Sequence, residues 1–261
     1  MQKLARSLYE GIAARRYPPG SLSTAVQNGR TWKLRRDVAE RGEDQDLATI
    51  LWFRGVTRPG MSVIDVGANV GQMTLELGVL VGAAGRVVAI EPSQGNLEYL
   101  RQHVVANGLD QRVTVVDGAC ADQDGGTVTF FMASPDGVSS VGSGHNIIGA
   151  DPILKQTATL QVSEQHVPRV SIDGLCRRLA LEPAVIKIDV EGAELLVLKG
   201  AKETLRRARP QVRMSFHPFA FLDPRAATVE ITALMEEVGY RIEGRQSEAG
   251  FGLSDYNLIP L

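Results

Sequence analysis

The stretch Val63-Ile-Asp-Val-Gly-Ala-Asn-Val-Gly71 decides the fold. Val63, Ile64 and Val66 read as a short buried strand. Residues 67–71 then turn the chain into the apolar, helix-compatible run at 73–80. A strand that ends in a glycine loop and opens a helix builds a nucleotide-type site, because Gly67 lets the backbone approach a ligand closely and the helix N-terminus offers unpaired N–H groups. From residue 61 onward apolar runs alternate with helical patterns, which predicts a mostly parallel sheet with crossover helices. Seven strands are expected near 62–66, 86–90, 112–116, 184–189, 210–216, 238–243 and 255–259, and helices near 70–82, 93–107, 171–180, 192–208 and 224–237.

Spacing narrows the ligand. A dinucleotide site wants Gly-x-Gly-x-x-Gly, so that a pyrophosphate can lie on bare backbone. Here Ala68 and Asn69 follow Gly67 and the next glycine is Gly71, a form suited to a ligand without phosphates. The apolar run Arg86-Val-Val-Ala-Ile-Glu91 ends in an acid 20 residues after Gly71, where a carboxylate can accept both hydroxyls of an adenosine ribose. S-adenosylmethionine has those free hydroxyls and no phosphate. A nicotinamide-dependent oxidoreductase on the same type of sheet is the alternative, disfavoured by the missing third glycine. A non-catalytic binding module would predict an eroded pocket, whereas Gly67, Gly71, Glu91 and Asp189 are intact.

The 261 residues, 44% hydrophobic and 22% charged, suit one large α/β domain with an appendage. Net charge of −2 gives no bulk attraction to nucleic acid or anionic membrane, and no apolar run is long enough to span a bilayer. Cys120 and Cys176 have no metal-ligand spacing and read as free thiols. Met1-Gln-Lys-Leu-Ala-Arg is charged too early for a secretory signal, so cytoplasm is the expected compartment. Residues 1–17 predict an amphipathic helix with Leu4, Leu8 and Ile12 on one face, the expected homodimer contact, ended by Tyr17-Pro-Pro-Gly20. Residues 21–43 are polar and ambiguous, and a further helix is expected over 46–54. The expected division is thus an N-terminal helical extension over 1–55 and a catalytic domain over 56–261.

In an open parallel sheet, ligands bind beyond the carboxyl ends of the strands. Those ends deliver Asp65 and Gly67, then Glu91 and Pro92, then Asp117 and Ala119, then Asp189, Glu191 and Glu194, and last His217. Asp65 either touches the ligand or holds the turn. Asp117 or Ala119 is expected at an adenine edge. Residues 125–170 interrupt the alternation: 126–132 reads as a hairpin strand, with partners at 158–162 and 167–171. Between them the Gly- and Ser-rich loop 134–150 is long enough to be functional, and Ser139, Ser140 and His145 there, with Glu194, are the candidate acceptor-side residues.

The run Ile186-Lys-Ile-Asp-Val-Glu-Gly-Ala-Glu-Leu-Leu-Val-Leu-Lys-Gly-Ala201 resembles the hallmark of the FkbM family of S-adenosylmethionine-dependent methyltransferases. Asp65 to Gly71 resembles the family's first motif, Glu91-Pro92 its Glu-Pro, Ala119 to Asp122 with Gly125 a further element, and Val170-Ser-Ile-Asp-Gly-Leu175 its Thr-Leu-Asp region. The resemblance covers roughly 61–217. It implies a class I methyltransferase fold: a Rossmann-like three-layer α/β sandwich with an inserted hairpin and loop. It also implies O-methylation of a sugar or natural-product hydroxyl. Asp65, Gly67, Ala68, Asn69, Gly71, Glu91, Pro92, Asp117, Ala119 and Asp189 would then bind the cofactor. An aliphatic hydroxyl is a poor nucleophile, so a base is needed: Asp189 is expected near the cofactor's reactive end, Glu191 orienting the acceptor, and His217 as base, with His145 as the alternative. Asp189, Glu191 and a histidine are compatible with a divalent metal, but their spacing is not diagnostic and no metal is expected. The sequence departs from the family's pattern at Met214-Ser-Phe-His217, where Ser215 stands in place of an acid. The acceptor is expected to be a small sugar, glycoside or polyketide-type alcohol rather than nucleic acid.

Overall fold

The structure is a computed structural model that describes residues 20–41, 47–134, 145–148, 161–245 and 254–261. The chain forms two compact units, 1–47 and 48–261. In the first, β1 (Leu22–Gln27) and β2 (Arg30–Arg35) pair antiparallel from Leu22↔Arg35 to Gln27↔Arg30. Asn28 and Gly29 join them at φ 48° and 76°, the left-handed pair that a tight two-residue hairpin turn demands. A short helix, α1 (Arg36–Arg41), follows, with an Arg36–Glu40 pair one turn apart. Residues 21–41 thus resolve into a hairpin and a helix, and the signal lay in Asn28-Gly29 between alternating residues. The helix expected over 1–17 lies outside the described residues.

In the second unit, α2 (Leu47–Val56, begun one residue earlier) precedes β3 (Ser62–Val66), α3 (Gln72–Leu80), β4 (Arg86–Glu91), α4 (Gln94–Ala106) and β5 (Val113–Asp117). Next come β6 (Ala119–Cys120), β7 (Thr127–Ser134), β8 (His145–Ile148) and β9 (Gln161–Val170). The chain closes with α5 (Ile172–Leu179), β10 (Pro183–Ile188), α6 (Glu194–Lys199), α7 (Lys202–Ala208), β11 (Gln211–Phe216), α8 (Pro224–Val238), β12 (Tyr240–Arg245) and β13 (Ser254–Pro260).

The main sheet has the order β12-β13-β11-β10-β3-β4-β5. Its five strands from β11 to β5 are parallel, and β13 runs antiparallel between β11 and β12. All seven expected strands are present. The order reverses direction at β3, so the carboxyl ends of β3, β4 and β10 flank the switch point where an open sheet leaves a crevice. The central strands are buried on both faces, as parallel strands under crossover helices must be: Ile64, Val66, Val88, Ile90, Ile186, Ile188, Val212 and Met214 lie in one core.

Two details differ from the sequence expectation. The helix expected over 192–208 is two helices. Between them the Gly200 carbonyl accepts from the Asp173 N–H at 2.9 Å, while the Asp173 carboxylate caps α7 through the N–H groups of Glu203 and Thr204. That explains the acid in the Val170–Leu175 motif. The inserted hairpin is larger than expected: β9 is one strand and pairs with β7 from Thr127↔Pro168 to Ser134↔Gln161, β8 adds to the other side of β7, and β6 joins β9 in parallel. Both cysteines are buried and free, and burial pushes the Cys120 thiol up to about 12, so it is inert. Among the described residues no helix is long and apolar enough to cross a membrane.

Candidate active site

The loop after β3 is built first on Gly67. Its φ is +77°, and a Cβ there would lie 1.8 Å from the carbonyl oxygen of Asp189. The bare position therefore admits the end of β10. Asn69 is also left-handed, at φ 51°, and its own Oδ1 accepts from the Val70 N–H at 2.7 Å, which helps a non-glycine residue hold that conformation. Gly71, at φ 95°, opens α3.

Glu91 pins this loop. Its Oε2 accepts from the Asn69 N–H at 2.8 Å, and its Oε1 accepts from the Ser93 N–H at 2.9 Å and from Asn96 Nδ2 at 3.1 Å. Burial raises its pKa, opposed by these hydrogen bonds and by the Lys187 charge. In the next strand Asp117 stands opposite Glu91. Asp117 Oδ2 accepts from Gln94 Nε2 at 2.8 Å, but its buried Oδ1 has no hydrogen-bond partner. Pro92 is half-buried. Ala119 is buried with Phe130 and Val167, so its side chain packs into the small core under β7.

Beneath the loop lies a row of charges. Asp65 has no exposed surface; its Oδ2 accepts from the Thr74 hydroxyl at 2.6 Å and its Oδ1 lies 3.3 Å from the Lys187 ammonium. It faces inward and holds the loop, so it does not reach the cleft as a ligand contact. Lys187 also donates to the Gly67 carbonyl at 3.0 Å and stands 3.6 Å from Asp189 Oδ2. Burial opposes this ammonium, but Asp65 and Asp189 outweigh it and raise its pKa, so it is a fixed cation. Lys187 falls inside the quoted motif, yet its role was not evident from sequence, because a lysine in an apolar strand gives no sign of which carboxylates its neighbours bring.

At the ends of β10 and β11 a second group assembles. Asp189 is 40% exposed, with Oδ1 3.6 Å from His217 Nε2. On the other side of the ring, Nδ1 lies 2.6 Å from Glu194 Oε1. Both oxygens of Glu194 accept from the Gly192 N–H at 3.1 Å, and its side chain is 0% exposed. Glu194 was expected on the acceptor side; this burial turns it away from any acceptor and toward the imidazole. Gly192, at φ +109°, would place a Cβ 2.6 Å from that of Ala220, so only glycine lets the turn after β10 pack under the turn after β11. Glu191 sits at φ 48° without being glycine or asparagine, a strained backbone of the kind that gathers at functional sites. Burial opposes a charged His217, but the Glu194 hydrogen bond and the charges of Glu194, Asp189 and Glu191 prevail and raise its pKa.

The expected residues therefore fall into two sets on one edge of the sheet. Gly67, Ala68, Asn69, Glu91 and Asp117 meet at the ends of β3, β4 and β5. Asp189, Glu191, Glu194 and His217 meet at the ends of β10 and β11. Ser139 and Ser140 lie outside the described residues, and His145 begins β8, where only its backbone is described. Ser215, where the family pattern suggested an acid, donates to Asp255 Oδ1 at 3.1 Å, so the neighbouring strand brings a carboxylate, which also pairs with Arg213 at 3.0 Å. Thr74, Ser93 and Asn96, which support the loop, carried no sequence signal. Among the described residues no group of three or more His, Cys, Asp or Glu side chains is arranged to hold a metal ion.

A family model described as the methyltransferase FkbM domain matches residues 65–242. No curated protein matches the chain. Among solved structures, a putative rRNA methylase from Clostridium thermocellum is 10% identical with a TM-score of 0.50, over 82% of this chain and 96% of that one. That likeness shows the fold. A methyltransferase FkbM from Methylobacillus flagellatus is 18% identical with a TM-score of 0.49, over 81% of this chain. The present chain spans about half of that protein, 51% of its length. The M. jannaschii protein TYW2, solved in complex with AdoMet, is 13% identical with a TM-score of 0.45, over 94% of this chain and 89% of that one.

Proposed function

Because the chain belongs to the FkbM methyltransferase family and has the class I methyltransferase fold, we propose that it is an S-adenosylmethionine-dependent O-methyltransferase acting on a hydroxyl of a small sugar or natural-product acceptor. The observation that carries the chemical half of this reading is the His217 ring, held from behind by Glu194 and facing the half-open Asp189 across 3.6 Å.

The donor set at the ends of β4 and β5 suits the cofactor. Asp117 Oδ1, buried and unpartnered, is an acceptor for a ligand N–H or O–H. Glu91 Oε2 takes one bond from the chain, which leaves it capacity for a ribose hydroxyl. When bound, S-adenosylmethionine supplies a methyl group already activated by its sulfonium and leaves as a thioether. The protein has to place the acceptor oxygen in line and remove its proton. His217 Nε2 takes that proton as the new C–O bond forms, and passes it to solvent. Asp189 and Glu191 accept hydrogen bonds from the acceptor and fix its approach, while the Lys187 ammonium stands 3.6 Å behind Asp189 Oδ2. Net charge of −2 supports a small molecule over nucleic acid as acceptor.

The test is a transfer assay with methyl-labelled S-adenosylmethionine over panels of glycosides, polyketide alcohols and RNA, with the product linkage read by NMR. Label on the oxygen of a glycoside or alcohol is the expected result. Label on RNA alone, or an N- or C-methyl product, overturns the acceptor reading. Calorimetry showing tight NAD binding and no response to S-adenosylmethionine overturns the cofactor reading as well.

A further inference from the structure

Glu194 stands at the first position of α6, where an acid has an ordinary reason to be, since it complements the helix dipole. Such acids usually face solvent, whereas Glu194 is 0% exposed. Its two oxygens converge on one backbone donor, the Gly192 N–H, and Oε1 continues to His217 Nδ1 at 2.6 Å. The carboxylate is thus fixed on the backbone of the turn that carries Asp189 and Glu191, and it meets the imidazole on the side away from Asp189. Resting on the proposed role of His217 as base, we infer that Glu194 is a positioning residue that keeps the His217 proton on Nδ1 and leaves the Nε2 lone pair for the acceptor hydroxyl.

The arrangement follows from what each nitrogen faces. An ionised carboxylate only accepts, so Nδ1 must donate to it. Asp189 Oδ1 stands 3.6 Å from Nε2, beyond hydrogen-bond reach, so it demands no second proton, and a neutral imidazole with its proton on Nδ1 keeps its lone pair on Nε2. Without Glu194 the ring is free to carry its proton on Nε2, and in that tautomer it cannot accept from a hydroxyl there. The charged groups facing the ring are Glu194 from α6 and Asp189 and Glu191 from the turn after β10, with Lys187 of β10 beyond Asp189. The turn after β11 contributes the uncharged ring of Phe219, edge-on at 5.6 Å. Burial works against the imidazolium, and Glu194 leads the groups that restore it.

The chain has four histidines, so 15N NMR of histidine-labelled full-length protein can follow His217, assigned by its loss in His217→Gln. In the wild type above its titration midpoint, the nitrogen shifts should report Nδ1 protonated and Nε2 bare. The opposite tautomer, or an imidazolium that never titrates up to alkaline unfolding, overturns the inference without need of any variant. Glu194→Gln keeps the size but removes the charge, so the His217 midpoint should fall and the Nδ1–H population should drop. An unchanged midpoint and tautomer in a folded Glu194→Gln protein would equally overturn it, since a purely structural carboxylate would leave both alone. Calorimetry on the same proteins separates this from the functional reading. S-adenosylmethionine should bind wild type and Glu194→Gln within about threefold of each other, less than 1 kcal/mol. Absence of binding to the wild type would refute the cofactor assignment and leave the tautomer result standing.

Discussion

Glu91, at the end of β4, is 3% exposed and accepts three hydrogen bonds from the chain. Asp189, at the end of β10, is 40% exposed and faces the Lys187 ammonium and the His217 ring, each at 3.6 Å. Both are acids at strand ends on the same edge of one sheet, yet one is held by two backbone N–H groups and an amide side chain and the other confronts ionisable side chains. The difference shows a division of labour. On the proposed function, the β3–β5 side holds a loop in shape around a cofactor that brings its own reactivity. The β10–β11 side gathers charged groups around the His217 imidazole, beside the strained Glu191. Gly67 and Lys187 join the two, because each touches both.

The contrast is most severely tested at the joint. Gly67→Ala would drive a Cβ into the Asp189 carbonyl, 1.8 Å away, from a left-handed backbone that alanine dislikes. A loss of about 5 kcal/mol or more is expected, at the upper end for single substitutions, seen as a collapse of the denaturant midpoint or no folded protein. A variant of near-normal stability would show that the two sides are not packed as one. Next comes Lys187→Met, which leaves Asp65 buried beside an apolar side chain. Removing one partner of a buried pair costs about 3 to 5 kcal/mol. The double variant Lys187→Met with Asp65→Asn should recover much of that; if it is no better than the single variant, the ammonium serves Gly67 and Asp189 rather than Asp65.

How much of this was legible in the sequence divides along the same line. The sheet was legible, because strands such as Val87–Ile90 are buried on both faces and so stay apolar throughout, and Val185–Ile188 departs from that only at Lys187. Strand ends were legible too, since acids and glycines interrupt those runs, and that brought Glu91, Asp117, Asp189 and His217 to one edge. Orientation was not. Nothing in the order of residues distinguishes Asp65, turned inward to Thr74 and Lys187, from Asp189, turned outward, although both follow a short apolar run. The same holds for Glu194, whose burial depends on a turn that Gly192 allows under Ala220. The hairpin of β1 and β2 differs: Asn28-Gly29 is a local turn signal, but the strands around it are mostly polar, so no continuous apolar run marks them.

A smaller effect is expected within the β3–β5 side. Glu91→Ala strands the Asn69 and Ser93 N–H groups and the Asn96 amide, which should lower stability by about 1 to 3 kcal/mol. It should also weaken S-adenosylmethionine binding by at least about tenfold, or 1.4 kcal/mol. Calorimetry and thermal denaturation on the same variant distinguish the two consequences. Normal affinity in a destabilised protein would make Glu91 a brace for Asn69 and nothing more. Affinity lost without destabilisation would make it chiefly a ribose ligand, and the contrast with Asp189 would then soften.

The smallest effect, and the one that separates the two sides by protonation, is pH-dependent. His217 has a folded pKa raised above 6.5, despite its burial, by Glu194, Asp189 and Glu191. A group of this kind contributes stability that is fully present below its unfolded pKa and is lost as pH rises through the folded one. Glu91 is also raised, by burial, so its contribution has the same sign, but it begins to fade above 4.5. The two sides therefore act in different windows. His217→Gln should leave the fall that starts near 4.5 and abolish the one that starts near 6.5. Denaturant melts of wild type and variant across pH 4 to about 9 should thus differ most below 6.5 and converge as the histidine loses its proton. Curves that diverge above 6.5 would mean that burial dominates and the ring is held neutral. In that case the β10–β11 side would hold no imidazole that charges on folding, and the contrast between the two sides would fail.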